Sequence, residues 1–179
     1  RHARKMLVLQ GCVQPGLAPH FNALTAQVLD RLGISLQVAS QAGCCGAVSY
    51  HLSAEEEGKQ FMRANIDAWW PYVEAGAEAI VMTASGCGAL VKEYGHILRD
   101  EPEYAEKAAK ISALTQDLSE VLAAESLTEL GQPGANHPPI AFHSPCTLQH
   151  GQKLPGQIES ILTRLGFTLT PVADPHLCC

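Results

Sequence analysis

The stretch Met6-Leu7-Val8-Leu9-Gln10-Gly11-Cys12 runs a strand-like apolar segment straight into a cysteine, and the chain repeats the device at Ile140-Ala141-Phe142-His143-Ser144-Pro145-Cys146. After each lone cysteine come 31 residues and then a cysteine pair, Cys44-Cys45 in the first copy and Cys178-Cys179 in the second. The interval has the same internal order both times. Apolar residues recur at helical spacing, as Phe21, Leu24, Val28 and Leu32 and again as Ile158, Ile161, Leu162 and Leu165. Each helical stretch ends in Arg-Leu-Gly, at 31–33 and 164–166, so Gly33 and Gly166 are candidates for the left-handed residue that closes a helix. Extended runs at 34–39 and 167–172 then lead to the pairs. Each copy therefore reads strand, cysteine, helix, strand, cysteine pair, which is the order of a βαβ unit. Parallel strands joined by a helix bring their carboxyl ends to one sheet edge, the edge where open α/β sheets bind ligands.

A third strand is expected over 78–83, nearly continuous in Ala, Ile, Val and Met, as a strand covered on both faces should be. It runs into Ser85-Gly86-Cys87-Gly88 and delivers a fourth thiol to the same edge. The helix before it has an apolar stripe of Met62, Ile66, Trp69 and Val73, interrupted late by Pro71. Its start is expected at a capping box of Ser53 with Glu56, and glutamates 55 to 57 suit the positive end of the helix dipole. The Trp69-Trp70 pair reads as core packing, with a partner surface as the alternative. From 88 to 130 the sequence looks helical throughout, and 131–139, rich in Pro and Gly, is the natural linker between copies.

Composition bounds the function. The 179 residues are enough for a real core. Twelve Lys and Arg against 18 Asp and Glu give a net charge of −6 with no basic run, which argues against nucleic-acid binding. No apolar run approaches the roughly 18–20 residues of a spanning helix. Basic residues 1–5 precede an apolar stretch too short for a secretory signal. A reducing compartment is the expectation, and clustered cysteines there bind metal or do redox chemistry more often than they form bridges.

Seven cysteines in the doubled order are hard to explain as packing. Thiolates hold iron–sulfur clusters, four to a four-iron cube, and Cys12, Cys44, Cys45 and Cys87 supply four from three strand ends. Adjacent cysteines point to opposite faces of a flat strand, so both reach one site only if the chain bends, which Gly43 and Gly46 permit. Two rivals stay open: a structural zinc held by four thiolates, although the chain has no C-x2-C knuckle, and a dithiol enzyme working through Cys44-Cys45. His143, His150 and His176 surround the second motif, and His150 reads as a hydrogen-bonding neighbour in preference to a ligand. His20, His51 and His96 have weaker cases, and Lys92 and Glu93 read as a solvated helix face. Nucleotide-binding and acyl-transfer motifs are absent.

The doubled spacing is joined by Gly43-Cys44-Cys45-Gly46-Ala47-Val48-Ser49-Tyr50-His51, Met82-Thr83-Ala84-Ser85-Gly86-Cys87-Gly88 and Phe142-His143-Ser144-Pro145-Cys146-Thr147-Leu148-Gln149-His150-Gly151. Together these resemble the cysteine-rich CCG domain family. That family is shared by heterodisulfide reductase B subunits, anaerobic glycerol-3-phosphate dehydrogenase C subunits, lactate-utilisation iron–sulfur proteins and bacterial glycolate oxidase iron–sulfur (F) subunits, and the wording around the motifs is most similar to the last. The resemblance implies an electron-transfer subunit with no catalytic residue of its own. It would pass electrons from flavin-binding glycolate oxidase subunits, which alone hold FAD and oxidise glycolate to glyoxylate, towards a quinone or membrane acceptor. It further implies an iron–sulfur cluster of [4Fe–4S] type on Cys12, Cys44, Cys45 and Cys87, with Cys146, Cys178 and Cys179 as metal ligands of a second, unfinished motif. Ala84 stands where wider relatives carry a further cysteine, which favours a four-ligand cluster. A ferredoxin-like N-terminal domain of the same full-length chain is implied as a partner, so the sequence reads as an excised C-terminal part. Its place would be the cytoplasm, or the periphery of the inner membrane's cytoplasmic face.

The expected architecture is α/β, two Rossmann-like lobes with short parallel sheets related by a pseudo-twofold. Residues 1–130 form the first lobe, 131–139 the linker and 140–179 the start of a truncated second lobe.

Overall fold

Successive side chains along β1 (Arg4–Val8) and β3 (Ile80–Met82) go to opposite faces of one sheet, and both faces are buried. Leu7, Ile80 and Met82 face one core, with Met62, Ile66, Trp69, Leu90, Val91 and Tyr94; Met6 and Val81 face the other, with Leu29, Ile34 and Val121. A sheet buried on both sides needs helices on both sides, and that requirement sets the layering. The computed structural model describes residues 2–177; Cys178 and Cys179 lie outside the described residues.

The chain is α/β, with two short parallel sheets. In the first, β2 (Ile34–Val38), β1, β3 and β4 (Thr115–Asp117) lie in the order β2-β1-β3-β4, all parallel, with Met6 paired to Leu36, Val8 to Val81 and Val81 to Gln116. The connections are helical. After α1 (Gln14–Leu17), α2 (His20–Arg31) links β1 to β2; α3 (Ala47–His51) and α4 (Glu55–Glu74) lead to β3; α5 (Ser85–Ile97) and α6 (Ala105–Leu114) lead to β4. The short α7 (Leu118–Ala124) follows. In the second sheet β5 (Ile140–Ala141) pairs parallel with β6 (Leu169–Thr170), linked through a π-helical turn (Thr147–Gly151) and α8 (Gln157–Arg164). Gly33 and Gly166 take φ of +76° and +85° just beyond α2 and α8, as the Arg-Leu-Gly endings required.

Several local expectations fail for physical reasons. The 88–130 region is not helical throughout, because Thr115-Gln116-Asp117 adds as a fourth strand beside β3. The capping box is not at Ser53 and Glu56. Ser53 sits at φ +66° in the turn that closes α3, its N–H on the Tyr50 carbonyl, so α4 starts after Ala54 with no side-chain cap. A complete capping box forms at α7 instead, where Asp117 accepts from the Ser119 N–H and Glu120 accepts from the Asp117 N–H. Lys92, expected on a solvated face, pairs with that same Glu120. Pro71 lies inside α4, which continues to Glu74. Of the expected α2 stripe, Phe21 and Leu24 face outward and are about half exposed, 50% and 51%, while Thr25 and Leu29 make the buried face. Trp69 is fully buried, so the core reading of that residue holds.

Candidate functional site

β1 and β3 are neighbours, whereas the chain leaves β1 for β2 on the other side. The sheet therefore reverses its winding between β1 and β3, and a crevice opens beyond their carboxyl ends. Cys12 follows β1, Cys44 and Cys45 follow β2, and Cys87 is the third residue of α5, which begins just after β3. All four line one open cavity of about 470 Å³ whose other walls are almost wholly apolar. The sequence expectation that these four thiols meet at one sheet edge is thus met in position. Cys146 lies elsewhere, half-buried at the start of the π-helical turn.

The four sulfurs are graded in exposure: Cys12 is exposed, Cys44 and Cys87 are half-buried, and Cys45 is buried. The Cys45 and Cys87 sulfurs are 3.2 Å apart. Hydrogen bonding from Cys87 outweighs burial and lowers the Cys45 thiol to about 6 from 9.0. The same contact, with burial and the fields of Cys45, Cys12 and Cys44, holds Cys87 protonated well above its ordinary value. The two behave as one pair sharing a proton. Burial raises Cys44, against a hydrogen bond from the Gly46 N–H to its sulfur at 3.4 Å.

The bend that lets adjacent cysteines face one site is made by Gly46. Its φ is +87°, and a Cβ there would stand 2.7 Å from the Gly58 carbonyl oxygen, so no other residue fits without movement. Two clamps fix the surrounding loops. On one side Gln14 donates to Asn22 and Thr83, Thr83 donates to Asn22, and Asn22 donates to the Leu9 carbonyl, tying the segment after Cys12 to the ends of β1 and β3. On the other, Asn65 of α4 and Tyr94 of α5, both buried, hold the cysteine-pair loop from the core side. Burial keeps the Tyr94 phenol neutral, raising its pKa above the ordinary value. Sequence reasoning passed over Asn65 and Tyr94. The only signal was a polar residue at a core-facing helical position, about one turn after Met62 and next to Ile66.

Four thiols around one cavity supply the donor set of an iron–sulfur cluster, which places each thiolate on a different iron; Cys45 and Cys87, whose sulfurs are 3.2 Å apart, would separate to do so. Among the described residues no three His, Cys, Asp or Glu side chains, the four cysteines included, come together to hold a single metal ion. The start of α5 has no side-chain cap, which leaves first-turn N–H groups beside Cys87, and the positive end of the dipole suits an anionic centre. Near the second motif, His143 Nε2 is 3.2 Å from the Leu177 carbonyl oxygen and His150 Nε2 is 3.2 Å from that of His176. Of the three histidines expected near that motif, His143 and His150 thus meet backbone carbonyls. Cys178 and Cys179, expected as further ligands there, lie outside the described residues.

A family model described as a cysteine-rich domain, CCG, matches residues 6–92. The chain is 60% identical over 179 residues to the glycolate oxidase iron-sulfur subunit of Escherichia coli (strain K12), covering 100% of this chain and 44% of that protein. It is 31% identical over 160 residues to lactate utilization protein A of Geobacillus thermodenitrificans (strain NG80-2), covering 87% of this chain and 63% of that protein. A probable glycolate oxidase iron-sulfur subunit of Bacillus subtilis (strain 168) is 26% identical over 179 residues, 98% of this chain and 39% of that protein. The chain thus spans less than two thirds of each of these relatives.

Proposed function

We propose that this chain, whose residues 6–92 match the model of the cysteine-rich CCG domain family, is an electron-carrying part of the iron–sulfur subunit of a flavin-dependent 2-hydroxy-acid oxidase. The observation that carries the reading is the convergence of Cys12, Cys44, Cys45 and Cys87 on one apolar cavity at the carboxyl edge of the sheet. These four would hold a [4Fe–4S] cluster, which supplies one-electron chemistry when bound. The chain's own groups bind and insulate it. Gly46 N–H and the start of α5 offer donors to sulfur, and the apolar walls lower the local dielectric. Exposed Val13, Leu17, Phe21 and Val48 ring the mouth, where a redox partner can approach without desolvating charge.

Glycolate is the favoured substrate of the parent complex, because the identity to the glycolate oxidase iron-sulfur subunit is 60% against 31% for lactate utilization protein A. The oxidation and the FAD belong to partner subunits. A ferredoxin-like N-terminal domain of the full-length chain would pass electrons to or from this site, and a quinone or other membrane acceptor would take them onward. Residues 1–130 act as the first lobe, 131–139 as the connection and 140–179 as the start of a second, with Cys146, Cys178 and Cys179 as metal ligands there. Contact with a membrane acceptor would be peripheral, at the cytoplasmic face; among the described residues no helix is long and apolar enough to cross a membrane.

Anaerobic reconstitution with iron and sulfide, followed by iron and labile-sulfide analysis and low-temperature electron paramagnetic resonance after reduction, tests this. Cluster-level iron and sulfide, lost in Cys87→Ser, supports the reading. Stoichiometric zinc without labile sulfide overturns it.

A further inference from the structure

The cysteine-pair loop is gripped by two buried side chains that bond its backbone. Asn65 Oδ1 accepts from the Gly43 N–H at 2.8 Å, and its Nδ2 donates to the Cys44 carbonyl at 2.7 Å and to the Tyr94 hydroxyl at 3.2 Å. Tyr94 in turn donates its O–H to the Cys45 carbonyl at 2.7 Å. Asn65 is 1% exposed and Tyr94 is 0% exposed. Every polar atom of this pair is thus directed at three consecutive backbone residues or at its partner. Burying an amide and a phenol costs free energy that an apolar pair of similar volume would avoid, so packing alone does not account for them.

Peptide geometry says what the grip does. A trans peptide is planar, with its C=O and N–H pointing in opposite directions, and no cis bond occurs among the described residues. Tyr94 holds the carbonyl of the Cys45–Gly46 peptide from the core side, so the N–H of that peptide points to the cavity side. There it meets the Cys44 sulfur at 3.4 Å. The positive φ of Gly46 is what lets the chain turn without rotating this peptide away. An O–H donated to a carbonyl also polarises the N–H at the far end of the same peptide, which strengthens that N–H as a donor in a low-dielectric site.

We propose that Tyr94 and Asn65 are positioning residues for the cysteine site: by holding the Cys45 and Cys44 carbonyls they aim and polarise the Gly46 N–H at the Cys44 sulfur, and so raise the reduction potential of the cluster held there. The inference rests on the cluster reading above. An N–H donated to a ligand sulfur stabilises the more negative, reduced cluster, so weakening it shifts the potential downward.

The test compares reconstituted wild-type chain, Tyr94→Phe, Asn65→Leu and a packing control, Ile111→Val. Ile111 is fully buried in the same core and has no polar side-chain atom with which to bond the loop or the two clamping side chains. Iron and sulfide content is measured first, then the midpoint potential by redox titration. Tyr94→Phe and Asn65→Leu shift the midpoint to more negative values, while Ile111→Val destabilises the chain without moving it. In the metal-free chain, the Gly46 amide exchanges with solvent faster in Tyr94→Phe than in wild type. Equal midpoints in wild type and Tyr94→Phe at full cluster content overturn the inference and leave the cluster reading standing. A shift of the same size in Ile111→Val overturns it too, since stability alone would then set the potential. A wild-type chain that takes up no iron and sulfide overturns the cluster reading itself.

Discussion

Cys45 and Cys87 place two ionisable sulfurs 3.2 Å apart in a site with apolar walls, and their acidities move in opposite directions as a result. The first proton leaves readily because the remaining thiol hydrogen-bonds to the thiolate it faces; the second stays because a second thiolate would sit against the first. Cys45 has its folded-state value lowered to about 6 from 9.0, so the stability it contributes is fully present above pH 9 and is lost as pH falls through 6. Cys87 has its value raised, so its contribution is present below 9 and is lost as pH rises further. The metal-free chain is therefore expected to show one thiolate titrating near 6 by ultraviolet absorbance. Cys87→Ala removes the donor and moves that midpoint up towards 9; a midpoint unchanged in Cys87→Ala would show that the contact does not set it. That these two cysteines belong to one site was legible from the spacing, because strand ends of a parallel sheet share an edge. Which two pair was not, since the choice depends on the bend at Gly46 and on the first turn of α5.

At the scale of elements, the cysteine-pair loop depends on how closely α3 rides on α4. Gly58 of α4 lies under α3, where a Cβ would be 2.8 Å from the Tyr50 Cβ, and the Gly58 carbonyl closes on Gly46 from the same side. Gly58→Ala overpacks this contact and should cost about 1–3 kcal/mol, read as a lower urea midpoint. Gly46→Ala adds a left-handed residue, itself worth about 1–2 kcal/mol, and so should be the more damaging of the two and should lower cluster retention. Equal stability in wild type and Gly46→Ala would mean that the loop adjusts freely. Long periodic elements such as α4, and the continuous apolar run of β3, were legible because burial on a fixed period determines them. Ser53 misled because capping boxes are recognised by spacing alone, while the preceding α3 had already committed its turn to φ +66°. Thr115-Gln116-Asp117 is too short and too polar to read as a strand; pairing with β3 and burial of Thr115 and Asp117 make it one. Asn65 and Tyr94 are on different helices, 29 residues apart, and only tertiary packing brings them to one loop.

For the molecule as a whole, residues 140–177 cannot stand alone. Two strands of two residues each and the buried apolar residues Leu148 and Ile161 fall well short of an independent core. They lean on the first sheet's helices. The Ser85 and Thr147 hydroxyls are 2.6 Å apart, Gln152 donates to the Ser85 carbonyl at 2.9 Å, and Arg164 donates to the Glu125 carbonyl at 2.7 Å. Gly88 leaves the space that Gln152 enters, since a Cβ there would be 2.9 Å from its amide nitrogen. Even the expected linker is tied down, with the Gly134 N–H on the Leu165 carbonyl at 3.0 Å. The contacts at Ser85 and Gly88 flank Cys87, so the second sheet buttresses the very turn that carries a proposed cluster ligand. Unfolding should then be one cooperative event. Leu148→Ala, by emptying the main apolar contact of 140–177, is expected to lower stability by about 2–5 kcal/mol. It should do so as a shift of a single transition in which far-ultraviolet circular dichroism and the fluorescence of Trp69 and Trp70, both in the first part of the chain, move together. If Leu148→Ala instead melts a helical fraction early while the tryptophan signal keeps its wild-type midpoint, the two sheets are separate units and the buttress on Cys87 is not one.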